Sequence, residues 1–303
     1  MRILITGANG HLGRRLIRRL NADNADAEIY ALVRSERARG QIEEEGLDAV
    51  ITIVDYGDAA ALARVGSHAG KFDAVIHLVG IIKESSSNPF EKAHEGACRA
   101  LIESGIEAER IVSLGIVGTA PNSQNACLLS RHKADQLLLE ASIPATILRV
   151  PMVLGPDDYA SASLASNARK ALVLSWRASS LEQPIDSRDV IDAILALIRL
   201  PAENRIVELA GPESLSRRTL IQRTAALTGH RPTVVSLPML LGYSLAWVLE
   251  KLSGNPPVTC AMLGVLDHDD QVDITAAVEL LQLQPRQLDE TLEMVLDSQS
   301  SAD

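Results

Sequence analysis

Aromatic residues are scarce in this 303-residue chain, where two Phe, two Trp and four Tyr amount to 3%. The core must therefore be built from aliphatic side chains and alanine. Cysteine is nearly absent: Cys98, Cys127 and Cys260 lie far apart, without metal-ligand spacing. That argues against a disulfide framework and for idle reduced thiols in a cytosolic protein. Positive charge is in deficit, and a formal net charge of −10 argues against nonspecific binding to nucleic acid or an anionic bilayer. No apolar run is long enough to span a membrane; the most apolar late segment, Leu237–Leu249, reads as a buried helix. An apolar strand is expected to begin at the second residue, and on that reading no signal peptide is expected. The expected location is cytoplasmic, with a peripheral position on the inner face of a membrane as the alternative. Nucleophile-elbow, P-loop and zinc patterns are all missing.

What is present is a soluble globular composition, 47% hydrophobic and 22% charged, in a chain long enough for one large domain or two associated ones. Apolar runs at Arg2–Thr6, Glu28–Val33, Val50–Val54, Ala74–Val79, Arg110–Leu114 and Ala145–Arg149 read as strands. Helical patterns fall between them at Leu12–Leu20, Arg37–Glu45, Ala59–Val65, Pro89–Ser104 and Leu128–Ala141. This alternation predicts an α/β fold, a doubly wound parallel sheet, over residues 1–155. Residues 156–303 read as a smaller, mostly helical cap, with 187–210 packing back on the first domain. Helices are expected at Ala160–Leu172, Ser187–Leu200, Ser216–Thr228, Met239–Leu252 and Ala276–Leu281, and the tail from Asp297 is expected to fray.

The first strand runs into Gly7, Gly10 and Gly13 and then a helix. A strand, a tight turn and a helix N-terminus in that order hold a dinucleotide pyrophosphate. Gly7 permits the turn, Gly10 the backbone's approach to phosphate, and Gly13 close helix packing. Asn9, His11 and Leu12 complete the turn. No carboxylate stands at the tip of the second strand before Glu36, while Arg34 is placed for a ribose 2′-phosphate and Arg37 could assist. NADP(H) is the preferred dinucleotide, with NAD(H) the alternative. Arg14 could reach the phosphates; Arg15, Arg18 and Arg19 read as a solvated stripe.

Thr6–Gly13 (TGANGHLG) resembles the TGxxGxxG of the short-chain dehydrogenase/reductase superfamily, in its extended and atypical branches. Val75–Lys83, Phe90–Gly96, Ile147–Pro156 and Leu209–Glu213 are similar to the atypical subgroup that includes the Rossmann-type accessory subunit of respiratory complex I and NmrA-like proteins. The resemblance implies that Asp55 contacts adenine and that Leu78, Val79 and Gly80 line the nicotinamide side. It also implies catalytic roles for Ser113 and for Lys133, the latter on the ribose. The tyrosine expected four residues before Lys133 is Leu129, which cannot move a proton.

The resulting expectation is an NADP(H)-binding protein with weak or no conventional redox activity, serving redox sensing, quinone chemistry or respiratory assembly. An active NADPH-dependent reductase or nucleotide-sugar epimerase/dehydratase with a nonstandard donor (His132 or Tyr159) is one alternative; a scaffold that binds no nucleotide is another. A small-molecule substrate in the C-terminal cleft and a monomer or homodimer are expected. Asp158 reads as a helix cap, Ser187 or Asp189 as another, Arg188 as pointing into the cleft and Asp267–Asp270 as a solvated loop.

Overall fold

The computed structural model describes residues 1–23, 26–253 and 255–300. The chain runs β1 (Arg2–Thr6), α1 (His11–Asp23), β2 (Glu28–Val33), α2 (Glu36–Glu44), β3 (Val50–Ile53), α3 (Ala59–Ala69), β4 (Ala74–His77), a π-helical turn at Lys92–Gly96, α4 (Ala97–Glu103), β5 (Ile111–Ile116), α5 (Ala126–Leu139) and β6 (Ala145–Val150). It continues through β7 (Val153–Leu154), α6 (Tyr159–Ala168), β8 (Leu172–Trp176), β9 (Leu181–Glu182), β10 (Ile185–Asp186), α7 (Ser187–Arg199), β11 (Arg205–Glu208), β12 (Leu215–Ser216), α8 (Arg217–Leu227), β13 (Thr233–Leu237), α9 (Met239–Leu252), α10 (Cys260–Leu266), α11 (Thr275–Leu281) and α12 (Leu288–Ser300).

Two compact units result: Met1–Arg149 with Ile194–Val207, and Val150–Ala193 with the chain from Glu208 on. In the first, a seven-stranded sheet has the order β11-β6-β5-β4-β1-β2-β3. β1 pairs in parallel with both β2 and β4. The strand order therefore reverses at β1, and ligands of such sheets bind outside the carboxyl ends at that reversal. Continuous apolar runs are what a sheet buried on both faces requires, and Ile3, Leu4, Ile5, Val75 and Ile76 are fully buried. One face packs Leu62, Val65, Leu101, Ala134 and Leu138 from α3, α4 and α5, with Phe72 edge-on to Tyr30.

The second unit is built around α6, α8 and α12. Leu164, Leu220, Ile221, Leu288, Leu292, Val295 and Leu296 form its core. Asp158 caps α6 by accepting from the Ser161 N–H. Parallel pairing of β8 with β13 and antiparallel pairing of β9 with β12 add small sheets that the sequence reading did not anticipate. The predicted helix at Ala160–Leu172 is shorter, because Leu172 already starts β8. The buried helix expected at Leu237–Leu249 forms as α9, but only Gly242 and Ala246 are buried. Leu240, Leu241, Leu245, Trp247, Val248 and Leu252 lie exposed. Small residues let α9 seat against the Trp176 ring and Leu263, which leaves the large side chains outward.

Arg188 donates to both carboxylate oxygens of Asp186 and pairs with Glu290, so its guanidinium is committed to these carboxylates. Neither Ser187 nor Asp189 is seen capping α7: Asp186 accepts from the Arg188 N–H, and Asp189 takes the Arg286 N–H. The Asp267–Asp270 segment, expected to be solvated, anchors Arg177 through Asp267 and Asp269.

Glu182 is 4% exposed and accepts from Arg217 Nε at 2.7 Å, and burial pushes its carboxyl up to about 7. A carboxyl with a raised folded-state pKa holds its proton in the native state where the unfolded chain has lost it. Its contribution to stability is therefore complete below the unfolded value and shrinks as pH rises toward 7. Glu182→Gln should remove this component. Denaturation midpoints at pH 5.5 and 7.5 should show the variant losing less stability on the alkaline side than the parent; equal slopes would contradict the assignment.

Candidate functional site

The turn after β1 is shaped by backbone geometry and then fastened by side chains. Gly7 has φ +71°, and a Cβ there would lie 3.2 Å from the Leu78 backbone. At Gly13 a Cβ would stand 2.5 Å from the Ala8 carbonyl oxygen, so α1 can start this close to the turn only with glycine. The Gly7 N–H donates to the Tyr56 hydroxyl at 2.9 Å, which in turn donates to the Leu32 carbonyl at 2.7 Å. Burial raises the Tyr56 phenol to about 12, so it remains a neutral clasp between turn and sheet. The sequence reading missed Tyr56; its place directly after Asp55 at the end of the third strand was the available signal.

Asn9 donates to Gln41 on α2, and His11 accepts from Arg15. Arg14 braces the turn through the Asn9 carbonyl and pairs with Glu45, which also takes Arg18. Arg14 and Arg18 are thus both paired with Glu45. Leu12 lies half-buried in the first turn of α1.

A cavity of about 360 Å³ opens beyond β2 and β3, lined by Arg34, Asp55, Tyr56, Gly57, Val79, Asn88 and Lys92 among others. The Arg34 guanidinium lies over the Tyr56 ring at 6.0 Å. Asp55 accepts from the Gly57 N–H at 3.0 Å and from Lys92 at 3.3 Å; these bonds hold its carboxyl below the usual range. Glu36, the nearest carboxylate after the β2 tip, is taken by Arg39. Arg37 is exposed and lies outside the lining. Lys92, unmentioned in the sequence reading, supplies a second cation beside Arg34.

A second cleft, about 440 Å³, lies between the end of β4 and β5. Leu78, Gly80, Ile81, Ile82, Lys83, His94, Leu114, Gly115, Ile116 and Arg131 line it. Ser113 does not. It lies inside β5 opposite His77 and is 1% exposed. The strand continues to Ile116, so the residues at its mouth are Leu114, Gly115 and Ile116. A side chain at Gly115 would meet Arg149 Cγ at 2.8 Å.

The face of α5 differs from expectation as well. Lys133 is exposed and Leu129 is half-buried. Cys127 and Arg131, also one helical turn apart, face the end of β4. Cys127 Sγ donates to the Ile81 carbonyl at 3.4 Å, and Arg131 donates to the Val79 carbonyl at 2.8 Å. A shift of two residues rotates a helix by roughly 200°, which moves the paired positions from Leu129 and Lys133 to Cys127 and Arg131. His132 is half-buried on that helix, and Tyr159, the other candidate donor, is 83% exposed. Burial pushes the Cys127 thiol up to about 11 and, with Arg131 nearby, His94 down to about 4. Near neutral pH Cys127 is therefore a thiol and His94 a neutral imidazole.

The glycine cradle and the adjoining cavity fit a dinucleotide: added Cβ atoms would fill the cradle, and cations line the far end. Among the described residues no cluster of His, Cys, Asp or Glu is arranged to hold a metal, and no helix is long and apolar enough to cross a membrane.

Residues 3–210 match the NAD dependent epimerase/dehydratase family. A ceramide reductase of Caulobacter vibrioides is 26% identical over 84% of this chain and 80% of its own length. Subunit 9 of the NADH dehydrogenase 1 alpha subcomplex from Arabidopsis thaliana mitochondria is 24% identical over 80% of this chain and 61% of its own length. Among solved structures, UDP-glucuronic acid 4-epimerase of Bacillus cereus, bound to UDP-glucuronic acid and NAD, superposes with TM-score 0.75 at 17% identity over the whole of both chains, a likeness of fold. With the glycine cradle and the strand reversal, the family match establishes that this chain belongs to the NAD dependent epimerase/dehydratase family, in the extended and atypical branch of the short-chain dehydrogenase/reductases.

Proposed function

We propose that this chain binds NADP(H) in unit one and has weak or no conventional hydride–proton turnover. Its role then lies in redox sensing, quinone-related chemistry or respiratory assembly. The observation that carries this reading is the identity of the α5 residues bonded to the chain after β4, Cys127 and Arg131, where a phenol would be needed. A bound nicotinamide supplies or accepts hydride. The chain's contribution would be to hold it at Gly7, Gly10 and Gly13, with Asp55 toward the adenine and Leu78, Val79 and Gly80 along the nicotinamide side. Without a positioned acid, the proton step loses roughly 10²–10⁴ in rate. The likeness to a respiratory-complex subunit supports this reading.

Arg34, with Lys92 beside it, favours the 2′-phosphate form. Arg34→Ala should weaken NADPH about 10- to 100-fold, the worth of a charge-assisted contact, and leave NADH nearly unchanged. Calorimetric titration of both forms checks this. Equal affinities for NADPH and NADH in the parent chain would remove the preference.

The second reading is an active NADPH-dependent reductase, supported by the likeness to a ceramide reductase. Substrate-dependent loss of nicotinamide absorbance, catalytic in protein, across carbonyl, quinone and nucleotide-sugar compounds would establish it over the first.

A further inference from the structure

The apolar side chains of α9 point away from the core. Successive helical residues turn by about 100°, which places Leu240, Leu241, Leu245, Trp247, Val248 and Leu252 on one arc of roughly 160°. All six are exposed, Leu240 at 76% and Leu252 at 79%. The polar members of that arc are Ser244, whose hydroxyl donates to the Leu240 carbonyl at 2.8 Å, and Lys251, whose ammonium lies 6.0 Å from the Trp247 ring centroid. The inward side carries Gly242, set against Trp176 and Leu263, and Ala246.

β8 and β13 extend this face. Alternation along β8 puts Leu172, Leu174 and Trp176 on one side of the strand, and Trp176 is the one that α9 covers. Leu172 and Leu174 are exposed, as is Val235 in register with Leu174, whereas Val173 and Val234 are buried in the core. Contiguous aliphatic surface of this kind is kept to small patches on soluble proteins unless it meets a partner.

Charge identifies that partner. The segments 159–181 and 214–249, which supply β8, β13 and nearly all of α9, contain seven Lys or Arg and no Asp or Glu, in a chain of net charge −10. Lys170 and Arg231 stand two residues before the first registered pair, Leu172 with Thr233, and both are exposed. Among the described residues no carboxylate pairs with Lys170, Arg231 or Lys251. The next acids along the chain are committed: Glu250 accepts from the Cys260 N–H, and Asp267 and Asp269 hold Arg177. A second copy on a two-fold axis would bring the same cations against these, whereas an anionic surface complements them. Screening limits electrostatics to about 8 Å at physiological ionic strength, so this local balance governs the approach of the face.

We infer that the outward face of α9, with Leu172, Leu174 and Val235, docks on a bilayer surface that carries anionic lipid. With 14 residues, α9 is about 21 Å long and lies along the bilayer rather than across it. Trp247 and the leucines would enter the boundary between head groups and acyl chains, and Lys170, Arg231 and Lys251 would reach the lipid phosphates. All of these residues belong to the second unit and none to the glycine turn, so the docking face stands or falls independently of the coenzyme.

Flotation of the full chain with phosphatidylcholine vesicles, with or without about 30% phosphatidylglycerol, tests it. Partition into the anionic vesicles should exceed that into the neutral ones about tenfold or more. Lys170→Glu/Arg231→Glu should remove most of that advantage, and Leu241→Asp/Leu245→Asp should cost about 100-fold or more. Tryptophan emission should shift to the blue on the anionic vesicles, and Trp247→Phe should remove the shift while the chain still binds. Circular dichroism checks that each variant folds; if the aspartate pair does not, the other two variants decide. Absence of binding, equal partition into both vesicles, parent-like partition of either double variant, or a persistent shift in Trp247→Phe would each overturn the inference. So would a dimer, seen by light scattering without vesicles, that Leu241→Asp/Leu245→Asp splits into monomers, because the face would then belong to a second copy.

Discussion

Replacing Gly13 with alanine should cost this chain its dinucleotide site. The added Cβ would lie 2.5 Å from the Ala8 carbonyl oxygen and 2.7 Å from both the Ala8 carbonyl carbon and the Gly7 carbonyl oxygen. All three are backbone atoms, so no rotamer change can relieve the contact. The start of α1 must move away from the turn, at an overpacking cost of about 1–3 kcal/mol, more than the roughly 1 kcal/mol alanine gains over glycine in a helix. Moving α1 also withdraws the N–H groups and positive dipole end that meet the phosphates. Loss of about 2.7 kcal/mol of that interaction is a 100-fold weaker affinity. Gly40→Ala is the control: it lies on α2, where an added Cβ meets nothing closer than the Glu44 carboxylate at 4.0 Å. It should leave binding unchanged and raise the melting temperature slightly. Parent-like NADPH affinity in Gly13→Ala would mean that the phosphates are not held at this turn.

The nucleotide half was legible because its signals are local. The run Ile3–Ile5, the glycine spacing and the missing carboxylate at the β2 tip depend on neighbours in sequence, and each has a structural counterpart in Gly7's positive φ and the committed Glu36. The face of α5 was not legible, because the helix carries leucines around most of its circumference and two pairs, Leu129/Lys133 and Cys127/Arg131, both fit one-turn spacing. Only Asp135, one turn after Arg131 and bound to Arg149 from another strand, fixes which side is inward. Ser113 was misplaced for a related reason: β5 runs two residues beyond its predicted end, so the position at the sheet's mouth falls at Gly115. Pairing of β8 with β13 joins segments some sixty residues apart and leaves no local trace. By contrast, α12 was readable and overlooked, since Leu288, Leu292, Val295 and Leu296 follow a helical stripe that all lies buried.

Asp135→Asn should be the most destabilising single change in the first unit. The carboxylate is 1% exposed, and its charge is shared by two interior guanidiniums. Burial nevertheless raises its pKa, so desolvation outweighs what Arg131 and Arg149 return. The pair is therefore no large net source of stability, and the effect of the variant is the cost of stranding its partners. Removing one member of a buried pair costs about 3–5 kcal/mol, a large share of the 5–15 kcal/mol that holds a typical domain together. Guanidinium denaturation should show the midpoint falling and the unfolding free energy reduced by that amount. Arg149→Met in the same chain should restore part of the loss, because one of the stranded cations is gone, with a coupling of about 0.5–3 kcal/mol. A fully additive pair of variants would show that Asp135 and Arg149 do not act together.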